Sequence, residues 1–380
     1  GFLSTQGFVF ALTLAITVVV IACPHALGLA IPTVTTITST LAARHGILIK
    51  NMNAVEQAKN LNYIVFDKTG TLTKGEFAVT EVIVSGGVSE SEALYLAAAV
   101  DANSLHPIAQ ALVDEAKKRG LKFEAAKEFK SIPGRGGIGM VGRERVIVGN
   151  ELLMKKEEVD LGGFSQQAVE LRQKGRSLVW LAVEKKAIAV VGLADIPRAE
   201  AKEVLQSLQK LDITPVMLTG DNEEVAKTIA DVLGITKFFA EVLPEDKVNK
   251  IKELQKGGQL VAMVGDGIND APSLTQANIG IAIGAGTDVA IESAEVVLVR
   301  NDLRDVLALM QLSRRTVRKM SQNLVWAAGY NVFALPLAAG VLFSYGIVLR
   351  PEWGALLMSL SSIIVVANAL TLRKFKFEYN

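Results

Sequence analysis

The sequence predicts an α/β domain built on a parallel sheet, an α+β domain inserted into it, and three transmembrane α-helices. Three observations carry this. Stretches without Asp, Glu, Lys or Arg lie at the start of the chain and near its end. Between them, short β-rich runs are each followed by a turn and a helical pattern, which is how parallel sheets covered by helices read. From about residue 80 to 190 that alternation gives way to a helical stretch and then glycine-rich turns and extended runs.

Composition agrees. A hydrophobic content of 50% and a mean hydropathy of +0.34 over 380 residues argue against a purely soluble chain. The net charge of +1, with no lysine- or arginine-rich tract, gives no reason to expect nucleic acid as a partner. One cysteine excludes an intrachain disulfide framework and fits a reducing compartment. The first residue is Gly1, and no basic segment or small-residue cleavage site follows, so the start is not a signal peptide. The expectation is a piece of a longer protein.

Residues 1–43 carry no charged side chain, and 7–30 alone is long enough for a span of roughly 20 apolar residues. Residues 320–349 and 353–372 are two further uncharged stretches, separated by Arg350, Pro351 and Glu352. Trp326, Tyr345 and Trp353 fall near their ends, where aromatic rings suit the headgroup level. Arg314, Arg315, Arg318 and Lys319 precede this pair, and Arg373, Lys374 and Lys376 follow it. The positive-inside bias therefore predicts that both ends of the hairpin are cytoplasmic, and Arg44 and Lys50 put the exit of the first span on the same side. The region between, roughly 46–319, is expected to face the cytoplasm.

Within that region, 62–66, 214–218, 260–264 and 279–283 read as parallel strands. The inserted domain reads as a helical stretch over 89–119 followed by extended runs at 145–148, 177–184 and 187–191. An insertion at a surface loop is well tolerated. Residues 137–142 spell GxGxxG, but a Pro-Gly-Arg-Gly turn precedes them and an extended run follows. A dinucleotide site needs a strand before the motif and a helix after it, so a turn is the better reading.

The chain is organised around Ile64-Val65-Phe66-Asp67-Lys68-Thr69-Gly70-Thr71-Leu72-Thr73. An apolar run ends abruptly in a carboxylate, an ammonium and hydroxyls, which at the carboxyl end of a parallel strand face the ligand crevice. Two further runs end alike: Thr219-Gly220-Asp221, and Asp266 with Asp270. Strand ends converge at one sheet edge, and clustered carboxylates repel one another unless a cation joins them. Mg²⁺ with phosphate oxygens is the natural occupant. Phosphoryl transfer also needs donors around the equatorial oxygens, for which Thr69, Thr219, Gly220 and Lys247 are candidates. Taken alone, Lys247 would more often be a solvated helix lysine.

In the first span, Cys23-Pro24-His25 places a thiol and an imidazole beside a helix-breaking proline. Histidine at membrane depth is costly and argues for function. Soft sulfur favours Cu(I), and imidazole suits copper or zinc.

The run from Asp67 to Thr73 resembles the phosphorylation motif of P-type ATPases, and the elements after it follow the order used by that family and by the wider haloacid-dehalogenase-like fold. The resemblance covers essentially the whole chain. It implies that Asp67 attacks the γ-phosphorus of ATP to form an aspartyl-phosphate, with Lys68, Thr69, Thr219, Gly220, Asp221, Lys247 and Asn269 around the transferred group. Asp67, Asp266 and Asp270 would hold Mg²⁺. Ser104-Leu105-His106-Pro107 resembles the His-Pro signature of the nucleotide-binding domain in heavy-metal (type IB) members. This implies a nucleotide site at Asp101, His106, Gly134, Gly136 and Asn150. Leu105 stands where the family commonly has Glu, and Asp101 is shorter than its usual glutamate.

Cys-Pro-His resembles the subgroup of type IB ATPases associated with copper export. That resemblance implies copper as cargo at Cys23 and His25, with Asn331, Met358 and Ser361 as further ligands. Tyr330, Asn323, Pro336 and Ser359 also match. Ligand softness leaves Cu(I), Cu(II), silver and zinc open. The expected division is 1–50 (first span and exit), 51–80 and 191–319 (phosphorylation domain), 81–190 (nucleotide-binding domain), 320–372 (helical hairpin) and 373–380 (tail). The family's actuator domain carries Thr-Gly-Glu, absent here, so that domain and the spans before Gly1 are expected missing partners. As it stands, the chain is expected to bind nucleotide without completing a transport cycle. The implied setting is a prokaryotic plasma (inner) membrane. A membrane-anchored phosphatase of the same fold is the rival, disfavoured because it needs neither His106 nor the intramembrane Cys-Pro-His.

Overall fold

The computed structural model describes residues 5–23, 25–104, 106–266, 270–284 and 288–377. Helices α1 (Thr5–Ile21) and α2 (His25–Arg44) lead into β1 (Ile47–Ile49), α3 (Met52–Ala58) and β2 (Tyr63–Asp67). Next come β3 (Thr73–Val84), α4 (Glu90–Asp101), α5 (Pro107–Lys118), β4 (Lys127–Ile132), β5 (Gly136–Val141), β6 (Glu144–Gly149), α6 (Glu151–Lys156), α7 (Ser165–Gln173), β7 (Ser177–Val183) and β8 (Lys186–Pro197). The chain continues through α8 (Ala201–Lys210), β9 (Thr214–Leu218), α9 (Glu223–Leu233), β10 (Lys237–Phe239), α10 (Lys247–Leu254), β11 (Val261–Gly265), α11 (Ala271–Gln276), β12 (Ile279–Ile283), α12 (Asp288–Ser293) and β13 (Val296–Leu298). Helices α13 (Arg304–Ala338) and α14 (Pro351–Leu370) follow.

The chain divides into two compact units, 1–62 with 257–262 and 274–380, and 63–256 with 263–273. Within the first unit β13 pairs antiparallel with β1 and parallel with β12, and within the second β9 pairs in parallel with both β2 and β10. Strands β2, β9 and β10 with the end of β11 belong to the second unit. The four strands read from sequence are β2, β9, β11 and β12. The three-residue strands β1, β10 and β13 are too short to show a pattern.

Six strands of the second unit form a separate sheet, β3-β8-β7-β6-β5-β4, in which every adjacent pair is antiparallel. It runs from Thr73 to Pro197, so the expected divisions at 80 and 190 fall inside strands β3 and β8. Its core follows the period of two. Val146 and Val148 pack with Leu94 and Leu112 of the α4–α5 layer, while Ile147 packs with Leu153, Trp180 and Leu171 on the other face.

The helical stretch expected over 89–119 is two helices. Ser89 caps α4 by accepting from the Glu92 N–H at 3.1 Å. Pro107 then opens α5 at the first helical position, where its missing N–H costs nothing, and His106 Nδ1 accepts from the Ile108 N–H at 3.3 Å. Residues 137–141 of the GxGxxG run lie in strand β5 and not in the expected turn; a strand, β6, and not a helix follows them, so the rejection of a dinucleotide site stands.

In the first unit, α1 ends at Ile21 and α2 begins at His25; Pro24, the proline expected to kink the span, lies outside the described residues. Together 7–44 form one apolar helical stretch, and 351–374 form another. Among the described residues these two are long and apolar enough to cross a membrane, where the sequence predicted three. The middle stretch lies on α13, but Gln322, Asn323, Tyr330 and Asn331 lower its apolarity, and the helix ends at Ala338, well before residue 349. Helix α13 instead packs along α2: Thr38 and Thr316 hydroxyls are hydrogen-bonded at 2.9 Å, and Ala26, Ala30, Ala327 and Val365 form a small-residue core.

Candidate active site

Strands β2 and β9 pair in parallel with Asp67 opposite Leu218, so Asp67 and Thr219-Gly220-Asp221 leave the sheet at one edge. Asp266 follows the last residue of β11. Asp67 is buried, and so is Lys247, the first residue of α10. The Lys247 ammonium donates to Asp67 Oδ1 at 2.6 Å and to Asp270 Oδ1 at 2.7 Å, bridging two carboxylates. Lys68 turns away from this group and pairs with Asp221 at 2.6 Å. The Thr219 hydroxyl is buried and accepts from the Asp221 N–H at 3.1 Å, while Thr69 and Gly220 are exposed. Asn269 lies outside the described residues.

The electrostatics are those of a site short of positive charge. Burial, then the charge of Asp270, pushes the Asp67 carboxyl up to about 7 against the pull of Lys247. Burial and Asp270 also raise Asp266. Burial opposes the charged form of Lys247, but its two carboxylate partners outweigh that and raise it. Three carboxylates against one ammonium is the chemistry of a hard divalent cation site. Among the described residues no three His, Cys, Asp or Glu side chains converge as a metal cage. Mg²⁺ does not require one, since it commonly takes one or two carboxylates together with substrate phosphates and water. Asp67 and Asp266 fit that role.

The loop between β2 and β3 is held by contacts the sequence did not reveal. Arg198, buried just after β8, donates to the carbonyls of Gly70 and Thr71, both at 2.7 Å, and its own N–H donates to Leu72 O at 3.0 Å. Thr73 bonds Asp195 at 2.5 Å. Only the arginine after Asp195-Ile196-Pro197 hinted at this brace. Gly70 has φ +76°, and a Cβ placed on it would lie 1.9 Å from Asp266 Oδ2. Gly70→Ala is therefore expected to displace either the loop or the Asp266 carboxylate. Phosphorylation should fall by two orders of magnitude or more, since one misplaced catalytic group costs about 10²-fold. Nucleotide affinity should change little. Single-turnover phosphorylation and equilibrium nucleotide binding, measured side by side, check this.

A cavity of about 350 Å³ in the antiparallel-sheet domain is lined by Asp101, His106, Gly134, Gly136 and Asn150, with Ile108, Phe129 and Leu178 among its walls. It brings together all five residues expected at the nucleotide site. Asn150 Nδ2 donates to Gly134 O at 3.0 Å, and its Oδ1 accepts from the Leu153 N–H, capping α6. Gly136 (φ +141°) leaves only 2.1 Å between a would-be Cβ and Val148 O, so the floor depends on close backbone approach. A second cleft of about 610 Å³ has Lys68, Thr69 and Asp221 on one side and Lys174 and Arg176 on the other. The latter two were not singled out from sequence.

Asp101 closes α4, and burial pushes its carboxyl up to about 7. Its folded pKa lies above its unfolded one, so its stabilising contribution is complete below about pH 4. It is lost as pH rises to about 7. Asp101→Asn is expected to flatten that part of the unfolding profile and to raise stability at pH 8 by up to about 4 kcal/mol. Urea unfolding at pH 4, 6 and 8, followed by Trp180 fluorescence, reads this out.

In the first unit, Cys23 and His25 are exposed on either side of the helix break. The hydroxyls of Tyr330 and Ser361 and the side-chain oxygen of Asn331 are buried without a hydrogen-bond partner, and Met358 is half-buried. Asn323 is spent on packing, donating to Ala30 O at 3.2 Å. Tyr330 packs with Val18 against the cluster that holds Ile21, at the end of α1.

An aspartate at the end of a central parallel strand, a buried lysine on it and a second acid-bearing strand end define the class. The haloacid dehalogenase-like hydrolase profile matches residues 61–278, more than half of the chain, and the chain belongs to that family. Within it, the chain belongs with the P-type ATPases. It is similar to the copper-exporting P-type ATPase B of Archaeoglobus fulgidus, 52% identical over 96% of this chain and 52% of that protein. It is also similar to the solved structure of a zinc-transporting PIB-type ATPase in its E2.Pi state. That structure has a TM-score of 0.82 and is 38% identical over 93% of this chain and 56% of the other. The catalytic domain of the CPx-ATPase CopB-B is covered to 98% by 72% of this chain, at 32% identity and a TM-score of 0.58. The chain spans about half the length of the relatives it matches.

Proposed function

We propose that the chain supplies the phosphorylated, nucleotide-binding and ion-path segments of an ATP-driven transition-metal exporter, with copper as cargo. The observation that carries this is the buried Asp67 held by Lys247 beside Asp266 at the sheet edge. An oxygen of the Asp67 carboxylate attacks the γ-phosphorus of ATP. The bond from that phosphorus to the bridging oxygen breaks, leaving an aspartyl-phosphate and ADP. Lys247 holds the attacking carboxylate in line and offers fixed positive charge to the transferred group. Thr69 and the Thr219–Gly220 turn supply donors to its equatorial oxygens. Mg²⁺, when bound by Asp67 and Asp266, neutralises charge on the phosphates. The cavity at Asp101 and His106 takes the nucleotide base.

Cys23 and His25 take the cargo at the break between α1 and α2, with Asn331, Met358 and Ser361 as further ligands. The thiol and imidazole suit copper, and the 52% identity to a protein named as a copper exporter supports that metal over zinc. The setting is a prokaryotic plasma membrane with the catalytic domains in the cytoplasm. Because one antiparallel sheet runs from Thr73 to Pro197, the boundaries proposed move to 73–197 for the nucleotide domain and 51–72 with 198–319 for the phosphorylation domain, with 320–372 for the hairpin. The remaining length of the relatives would supply the actuator domain and further spans.

The test is phosphate incorporation from γ-labelled ATP by the full-length protein in membrane vesicles, with Cu(I), Ag(I), Zn(II) or chelator. Copper-stimulated labelling that is lost in Cys23→Ala is the expected result. Labelling indifferent to every metal would overturn the exporter reading and leave a phosphatase of the same fold. Stimulation by zinc alone would overturn copper.

A further inference from the structure

A groove of about 650 Å³ lies between α13 and α14, lined by Arg318, Lys319, Gln322, Trp326, Ile364 and Asn368. Its two ends differ in chemistry. Arg318 and Lys319 sit immediately before the uncharged part of α13, and Asn368 sits near the end of α14 with Arg373 and Lys374 beyond it. One helical turn or two into the apolar part, Trp326 is 49% exposed and Val325 is 73% exposed. Cations and amides thus meet an aromatic and aliphatic wall at the level where the chain would enter a bilayer.

The polar end is built rather than incidental. Lys319 Nζ donates to Asn368 Oδ1 at 2.7 Å, and Asn368 Nδ2 donates to Asn323 Oδ1 at 2.8 Å. Asn323 in turn donates to Ala30 O of α2. This chain of bonds fixes the Lys319 ammonium over the groove, with two of its three N–H groups left over. A groove facing hydrocarbon would be an expensive place for two cations and two amides, and a groove facing water alone would not need Trp326 and Val325 exposed beside them.

We propose that this groove binds the phosphate-ester headgroup of an acidic phospholipid from the cytoplasmic leaflet. Arg318 and Lys319 take the phosphate. Gln322, whose Oε1 accepts from Asn368 Nδ2 at 3.4 Å, offers its Nε2 to the remaining headgroup oxygens, and Trp326, Val325 and Ile364 face the first acyl carbons. Basic pockets between spans on the cytoplasmic side suit such headgroups. The apolar wall selects a lipid over a soluble phosphate of the same charge. Because the network reaches Ala30, an occupied groove also braces α2 against α13 and α14. The proposal rests on the membrane placement given above, and the test separates the two.

The experiment reconstitutes the full-length protein and its Trp326→Phe counterpart in phosphatidylcholine vesicles. These contain a minor fraction of either brominated phosphatidylglycerol or brominated phosphatidylcholine. The difference between the two proteins isolates quenching of Trp326. Quenching by both lipids, with a clear excess for phosphatidylglycerol, is expected. The relative affinity for phosphatidylglycerol should drop about fivefold for each cation removed, in Arg318→Gln and then in Arg318→Gln/Lys319→Gln. Arg315→Gln, on the same helix but outside the groove, should keep the excess. Arg318 is exposed, so its single variant tests the idea even where loss of Lys319 disturbs packing. Equal quenching by the two lipids, or an excess that survives in the double variant, overturns the headgroup site while leaving the membrane placement standing. Quenching by neither overturns both. Loss of the excess in millimolar inorganic phosphate would assign the groove to a soluble anion and overturn the lipid.

Discussion

Asp67→Asn is expected to reduce acid-stable phosphate incorporation to background, a loss of at least about 10⁴-fold, as for removal of other enzymic nucleophiles. An amide has the shape of the carboxylate and none of its nucleophilicity, so the effect isolates chemistry from packing. Lys247 keeps its 2.7 Å bond to Asp270, so the site should not collapse. Nucleotide binding should persist, because Asp101, His106 and Asn150 line a cavity that does not include Asp67. Far-ultraviolet circular dichroism and nucleotide titration of the variant provide the controls. Retained phosphorylation would place the nucleophile elsewhere. Lost nucleotide binding would mean that Asp67 also shapes the distant cavity.

The parts of this site that were legible in the sequence are those set by strand ends. A buried β-run that stops at a carboxylate carries its own position, since parallel strands deliver their ends to one edge. Asp67, Asp221 and Asp266 could be grouped on that ground. What depends on long-range side-chain reach was not legible. Arg198 bonds Gly70 and Thr71 across more than 120 positions of sequence, and no local pattern marks an arginine as a brace for a distant loop. Lys68 stands in the motif beside Asp67, yet pairs with Asp221, because it lies past the end of β2, in the turn that follows the strand. The three-residue strands and the break between α4 and α5 were missed for another reason. Periodicity needs several residues to show, while Pro107 marks a helix start only once its neighbour His106 is seen to cap it. Membrane apolarity was read from missing charges alone, which overlooked the amides of Gln322, Asn323 and Asn331 on α13.

Lys247→Met should damage both stability and chemistry, and pH separates the two. The ammonium bridges Asp67 and Asp270, and the three side chains are 9%, 12% and 3% exposed for Lys247, Asp67 and Asp270. Removing one partner from such a buried group leaves charges uncompensated, at a cost of about 3–5 kcal/mol near neutral pH. The sign with pH follows from the carboxylates. Lys247 lowers Asp67, whose carboxyl already lies at about 7, so its loss drives Asp67 further up. A carboxyl with a raised folded pKa favours folding when protonated and loses that favour as pH climbs. The variant should therefore approach the parent in stability at pH 5 and fall increasingly behind it toward pH 8. The parent keeps Lys247 charged across this whole window, because the folded pKa of Lys247 lies above its usual value. Adding Asp270→Asn to Lys247→Met removes one of the stranded charges and should restore much of the stability. It should not restore phosphorylation, because the fixed charge next to the transferred phosphoryl group is still missing, a deficit of about 10²–10³-fold for one electrostatic donor. Chemical denaturation across pH 5–8 and phosphate incorporation in the single and double variants check both halves. If the double variant recovered phosphorylation along with stability, Lys247 would be a packing residue and the positive charge at the site would have to come from elsewhere.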